Sequence, residues 1–314
     1  MKEDEMIGVS LKFMRKINTI VLCAAAFALF QIAMAPNALA DPILGSDLST
    51  FAILGGAGVT IDGTASVITG SVGASPTISI TGAGYTISGG TVQAGGATAA
   101  AGYTELGTAM TALEGMATGA TSIPGGVLGG STLGPGVYSA TSTMDLTGTL
   151  NLDGGGNANA LWVFLVYSSL TTASNSVVNV YGTGAGAGVY WVMETGSATL
   201  GSDSTFAGNI LANASITAGT TATDPCGRLL ATATVTLGGT DTIGIGGCSG
   251  TLAGSNGLSG GGTLTPGNPP TITPLESSIP EPGTFMLLGA GIACLVAWRR
   301  ASARGRQRDL ASKA

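Results

Sequence analysis

Short apolar runs alternate with glycine-rich turns over most of the chain. Residues 51–54, 67–69, 77–80, 146–152, 161–167, 177–181 and 189–193 are apolar or alternating, and Gly, Asn and Asp punctuate them. Such runs predict short β-strands joined by tight turns. One stretch differs. Between 94 and 116 Ala recurs, and Tyr103, Leu106, Met110 and Leu113 follow at three- and four-residue steps, which draws one apolar stripe along a helix. Gly95, Gly96, Gly102, Gly107 and Gly115 lower its intrinsic propensity, so this helix is expected to depend on docking against a neighbour.

The later part of the chain repeats itself. Ala198-Thr199-Leu200-Gly201, Ile216-Thr217-Ala218-Gly219 and Val235-Thr236-Leu237-Gly238 share one pattern, each followed by a further Thr at 205, 223 and 242. From Thr199 to Thr217 is 18 residues and from Thr217 to Thr236 is 19, with a weaker copy at Leu170-Thr171-Thr172-Ala173. A repeat near this length, built from strands, predicts a stacked β architecture. Thr199, Thr217 and Thr236 then form a ladder with a step of about 4.8 Å. Leu200, Ile216 and Leu237 would point inward, with Phe206 and Ile210 in the core. β-Branched residues suit any strand, so a ladder alone has a bland explanation as a purely structural surface.

The two ends have their own patterns. Lys12, Arg15 and Lys16 precede an apolar stretch over 17–34, and Ala38-Leu39-Ala40 follows. This order predicts a signal peptide within 1–40, with Asp41 as the new N-terminus. Residues 250–279 are rich in Gly, Ser, Thr and Pro and predict a linker. The last segment, 280–314, opens on Pro280-Glu281-Pro282, continues through an apolar run over 285–298, and reaches Arg299 and Arg300. That run is short for a full membrane span, and the Arg cluster would hold its C-terminal end in the cytoplasm. Proline, glutamate, proline, apolar run and Arg cluster in this order resemble the PEP-CTERM sorting signal of Gram-negative bacteria. The resemblance implies recognition by an exosortase-type enzyme, transient membrane contact through the apolar segment, removal of the tail, and delivery to the cell surface or outside.

Composition narrows the function classes. The 314 residues are 44 % hydrophobic and 9 % charged, unlike a disordered chain. Arg228 is the single basic residue between 17 and 298, which excludes nucleic-acid binding by the middle region. The chain has no His, which removes Ser-His-Asp and Cys-His arrangements and every His metal site. No cofactor, metal or catalytic activity is expected. A polysaccharide lyase would need a base near clustered carboxylates, and Arg228 with Asp224 is the one candidate; beside Pro225-Cys226 this pair reads more simply as a turn. Cys226 and Cys248 are the only cysteines outside the terminal apolar runs. In an exported chain such a pair suggests a disulfide, two buried free thiols being the alternative.

A longer set of segments carries a second resemblance. Leu48-Ser-Thr-Phe-Ala-Ile-Leu-Gly-Gly, Val67-Ile-Thr-Gly-Ser-Val-Gly-Ala-Ser-Pro, Leu133-Gly-Pro-Gly-Val-Tyr, Asn157-Ala-Asn-Ala-Leu-Trp-Val-Phe-Leu and Thr205-Phe-Ala-Gly-Asn-Ile-Leu-Ala occur in this order. Together they resemble the microbial ice-binding protein family across residues 44–247. The resemblance implies a mainly β fold: a right-handed, irregular three-faced β-solenoid over 41–249, with one long α-helix alongside and N-terminal coils that close the structure. It implies a monomeric body that adsorbs to ice through one flat face of Thr, Ser and Ala. The family's Thr-Ala/Gly-x-Thr/Asn pattern fits Thr172-Ala-Ser-Asn175 and Thr217-Ala-Gly-Thr220, while Thr199-Leu-Gly-Ser202 and Thr236-Leu-Gly-Gly239 depart from it. The candidate face comprises Thr171, Thr172, Asn175, Thr199, Thr205, Thr217, Thr220, Thr223, Thr236, Thr240 and Thr242, with Asp203 and Asp241 expected at its edge. The competing function is a non-catalytic surface or extracellular-matrix structural protein.

Overall fold

The computed structural model describes residues 41–275 apart from 64 and 266; the expected signal peptide and the sorting motif at Pro280, Glu281, Pro282, Arg299 and Arg300 lie outside the described residues. Within them the chain is mainly β, with parallel sheets and one long helix, α1 (Gly96–Glu114). From residue 136 onward the chain visits the sheets in a fixed order. Gly136–Ala140, Leu161–Val166, Gly188–Met193, Gly208–Ala212 and Gly227–Ala231 enter a nine-stranded sheet. Each is followed by a short strand in a seven-stranded sheet: Met144–Leu146, Leu170–Thr172, Ala198–Leu200, Ile216–Ala218 and Thr234–Leu237. The chain then passes through a three-stranded or a four-stranded sheet, which isolated parallel bridges from Thr205 to Val177 and Thr223 connect.

The N-terminal strands obey the same order but not the same sequence position. Phe51–Gly55 pairs in parallel with Gly227–Ala231, Gly58–Ile61 with Thr234–Leu237, and Val67–Thr69 with Thr242–Gly244. Residues 51–94 therefore continue the stack beyond its C-terminal strands.

The nine-stranded sheet is covered on both sides, which is why its strands read as unbroken apolar runs. Inside, Tyr138, Phe164, Trp191, Ile210, Leu229, Ile53 and Val72 align in register. The Phe164 and Trp191 rings stack with centroids 3.9 Å apart. Outside, α1 lays Leu106, Ala109, Met110 and Leu113 onto Leu54, Val163, Val192, Leu211 and Leu230. Gly102 faces Phe51 so closely that a Cβ there would lie 3.0 Å from the ring. The glycine that weakens the helix in isolation thus permits its docking.

Polar side chains fasten the segments around this sheet. The Glu105 carboxylate accepts the amides of Asp47 (2.9 Å) and Leu48 (2.6 Å), satisfying donors that the short 3-10 turn Leu48–Thr50 leaves open. On the outer side Tyr190, Asn209 and Arg228 stand in one register column. Tyr190 Oη donates to the carbonyls of Ser259 and Gly260, Asn209 Nδ2 to Leu258, and Arg228 Nη1 to Asn256. The stretch expected to be a linker from residue 250 is thereby pinned to the body: Leu258 is fully buried, and Gly262–Thr265 pairs antiparallel with Thr271–Pro274. Cys226 and Cys248 form a disulfide.

Candidate functional site

The seven-stranded sheet has core on one side only. Its strands follow a buried–exposed–buried pattern, as at Ala198–Leu200 and Ile216–Ala218. A three-residue strand of that kind presents one outward side chain, and in strand after strand it is Thr. Thr171, Thr199, Thr217, Thr236, Thr60 and Thr81 are directly paired in that order. Inward neighbours Leu170, Leu200, Ile216, Ala218, Val235 and Leu237 lock the register from within the core, because a one-residue slip would turn them into solvent.

The rows beside the ladder are small. Two residues before the Thr stand Ser197, Ser215 and Thr234, and the Ser215 and Thr234 hydroxyls lie 2.9 Å apart. Two residues after it stand Gly201, Gly219 and Gly238. A Cβ at Gly219 would come within 2.8 Å of the Ser202 amide, and one at Gly238 within 2.9 Å of the Thr220 amide. Glycine is required there by the close approach of the next coil. The ladder and the rows beside it carry no charge from Thr171 to Thr236; Asp145 pairs with Thr171 beyond one end, and Asp62 stands two residues after Thr60, within the face.

The candidates from the sequence do not form one face. Thr171, Thr199, Thr217 and Thr236 share the ladder just described. Thr205, Thr223 and Thr242 lie in a second row, with Thr149, Val177, Val67 and Thr86, on the adjoining sheets. Asn175, Thr220 and Thr240 are exposed at the turns between the two rows. Thr172 is corrected outright: it is 3 % exposed, and its Oγ1 accepts the Gly201 amide at 2.9 Å. In Leu170-Thr171-Thr172 the strand turns Thr171 outward, so its neighbour must face the core. Thr60 and Thr81 belong to the ladder and were not among the candidates.

The turns hold an unusual column. Asn175, Asp203, Thr221 and Thr240, each four residues after a ladder Thr, have φ of 60°, 59°, 60° and 60°. Asp203 is exposed there and accepts a hydrogen bond from Thr221 Oγ1 at 2.7 Å. Asp241, also expected at the edge of the face, is instead fully buried. Its carboxylate accepts the amides of Ala222 and Gly239 at 3.0 and 2.9 Å. Burial raises its pKa to about 6, although those two amides pull the other way.

The one pair considered for catalysis is also buried. Arg228 donates to Asn209 Oδ1 at 2.7 Å as well as to backbone carbonyls, and burial lowers its pKa to about 10. Asp224 occupies an inward position level with Ile243 and next to Phe206 in the stack. Burial holds its carboxyl well above the usual range. Both groups are closed to solvent, so neither offers a substrate-facing base.

Comparison with known proteins covers the region just described. The family model described as Ice-binding-like matches residues 53–243, and a PEP-CTERM protein-sorting motif matches 278–301. An ice-binding protein of Nostoc sp. (strain HG1) is 42 % identical over 218 residues, covering 68 % of this chain and 78 % of that one. An ice-binding protein of Flavobacterium frigoris (strain PS1) is 33 % identical over 190 residues, covering 55 % and 66 %. Among solved structures, an ice-binding protein from an Antarctic biological consortium aligns with a TM-score of 0.59 at 32 % identity, covering 64 % of this chain and 90 % of that one. One from the Antarctic ascomycete Antarctomyces psychrotrophicus aligns with a TM-score of 0.57 at 33 % identity, covering 65 % and 97 %.

Proposed function

This chain belongs to the ice-binding-like family, and we propose that it adsorbs to ice through the seven-stranded sheet, restraining ice growth and recrystallisation. The observation that carries the proposal is the in-register ladder of six threonines, Thr171, Thr199, Thr217, Thr236, Thr60 and Thr81.

Ice presents a flat, uncharged lattice of oxygens that both donate and accept hydrogen bonds. A complementary protein surface must be flat, rigid, uncharged and regular. Stacked strands give a step of about 4.8 Å, and alternate residues along a strand give about 6.7 Å. The Ser/Thr row beside the ladder supplies the second direction of that grid. Each Thr offers a hydroxyl that anchors water and a methyl that orders it. Single contacts of this kind are weak, so adsorption needs many held in place at no ordering cost, which a core-locked register provides.

In this reading the three sheet directions are the faces of a right-handed solenoid, with α1 covering one face and the Thr ladder exposed on another. The sorting motif is read by an exosortase-type enzyme, with the body delivered to the cell surface or beyond.

The test compares ice shaping and recrystallisation inhibition by purified wild type, Thr217→Tyr and Thr205→Tyr. Loss in Thr217→Tyr with retention in Thr205→Tyr is expected. The reverse pattern would move the site to the second row. Inactivity of the folded wild type would overturn ice binding and favour a structural surface role.

A further inference from the structure

The stack is closed at one end and open at the other. Its core runs in columns of inward side chains, one from each strand in register. One column finishes Leu229, Ile53, Val72, Val92, a second Val235, Val59, Ile80, and a third Ile243, Ile68, Ile87. Ile53 and Val72 are fully buried, whereas Val92, at the same inward position one step further, is 48 % exposed. Ile80, Tyr85 and Ile87 are only partly buried. Val92–Ala94, Ile80–Gly82 and Thr86–Ser88 stand at the edges of their sheets, so among the described residues no strand pairs with their outer sides. At the opposite end Leu128, beside Leu146, is fully buried.

Soluble solenoids close such an end with a polar capping coil, and free sheet edges are blunted by charge, Pro or a bulge. The 77–95 coil has neither protection. No charged residue lies between Asp62 and Glu105, and the three edge strands contain no Pro. Ile78, 72 % exposed, adds apolar surface beside them.

We propose that the open end joins two copies of this chain in a closed, two-fold dimer, a departure from the monomeric body that the family resemblance implies. An uncharged surface meets its own copy without like-charge repulsion. The terminal coil, residues 77–95, offers nineteen residues to the contact, close to the roughly 20 a side of a standard stable interface. The free edges add main-chain hydrogen bonds. A two-fold axis uses the open end twice and leaves none behind. Head-to-tail stacking would leave one open on every assembly and would bury the end that is already closed. Under the two-fold the joined strands run antiparallel, and Ile80–Gly82 meets its own copy with both Thr81 side chains on one side of the joined sheet. The dimer does not depend on the ice-binding reading; combined with it, two threonine ladders lie end to end.

The experiment uses the full chain with Cys23→Ser and Cys294→Ser, the Cys226–Cys248 disulfide kept oxidised, and a short bismaleimide cross-linker. One new cysteine is placed at the open end, Thr81→Cys, or at the closed end, Thr132→Cys. Thr81→Cys is expected to give mostly covalent dimer and Thr132→Cys to remain monomeric. Val92→Lys, which would bury an unpaired charge in the contact, should cut the Thr81→Cys dimer yield by about tenfold or more. Ile78→Lys, at a position too exposed to disturb folding, should weaken it in the same direction. Four results would overturn the proposal. The first is no dimer from Thr81→Cys, as when another segment of the same chain covers this end. The second is equal dimer from both sites, the sign of association through the apolar tail. The third is dimer only when the two cysteine variants are mixed, the sign of head-to-tail stacking. The fourth is a yield that neither lysine variant changes.

Discussion

Arg228 Nη2 donates to the backbone carbonyl of Ser49 at 2.7 Å, across 179 residues of sequence. With Asn209 and the carbonyl of Asn256 on its other nitrogen, this one guanidinium joins the N-terminal segment, the middle of the nine-stranded sheet and the C-terminal wrap. Arg228→Met keeps the aliphatic stem but leaves those buried acceptors unpaired. The expected cost is about 3–5 kcal/mol, measured by urea unfolding. Ice shaping by the folded fraction should be unchanged, because the residue lies on the outer side of the nine-stranded sheet, the side that carries α1, and not on the ladder.

Thr171 and Thr172 are adjacent in sequence and opposite in role. Thr172→Val preserves shape and removes the acceptor of the Gly201 amide, so it should cost about 1–2 kcal/mol of stability and leave ice shaping intact. Thr171→Tyr should weaken ice shaping with little change in stability. Calorimetry and ice morphology on both variants check the assignment; activity lost in the valine variant alone would reverse it.

Asp241 makes stability depend on pH in a definite sense. Its carboxyl is raised from 3.8 to about 6 in the folded protein, so the folded state binds this proton more tightly than the unfolded chain. Its contribution is full below about pH 4 and is lost as pH rises through about 6. Thermal midpoints of wild type and Asp241→Asn are to be compared between those pH values. The wild type should lose stability relative to the variant as pH rises, and parallel curves would refute the assignment.

Thr240 holds φ at 60°, a left-handed conformation in which a β-branched side chain crowds its own backbone. Asn tolerates it far better. Thr240→Asn should therefore raise stability by about 1 kcal/mol, read as a higher thermal midpoint, with no effect on the ladder.

Much of this was legible in the sequence because the repeats between 198 and 242 run without interruption. They predict the Thr199–Thr217–Thr236 pairing and its inward Leu200, Ile216 and Leu237, all of which the structure shows. The stripe at Leu106, Met110 and Leu113 likewise marks the docked side of α1. Thr60 was missed because its strand reaches Thr236 only through long-range stacking. The local signal was present: Val59-Thr60-Ile61 has the same apolar–Thr–apolar form as Val235-Thr236-Leu237. The merging of two rows into one face has a different cause. Thr217 and Thr223 are separated by a turn, and spacing along the chain does not reveal the angle a turn makes. Residues 250–275 resemble a linker in composition, yet backbone carbonyls are what bind them to Tyr190, Asn209 and Arg228, and carbonyls carry no sequence signature.

The pairing of Phe51–Gly55 with Gly227–Ala231 imposes an order of assembly. The first coil to be synthesised meets its partner only after some 170 further residues have been made, which takes on the order of ten seconds or more. Until then only the edge of Phe51–Gly55 that pairs with Ser71–Ala74 has a mate, and a chain that stops early never provides one for the other. The last coils therefore act as a length check: closure of the sheet and completion of the six-threonine ladder come together, and only once the strands Gly227–Ala231 and Thr234–Leu237 have been made.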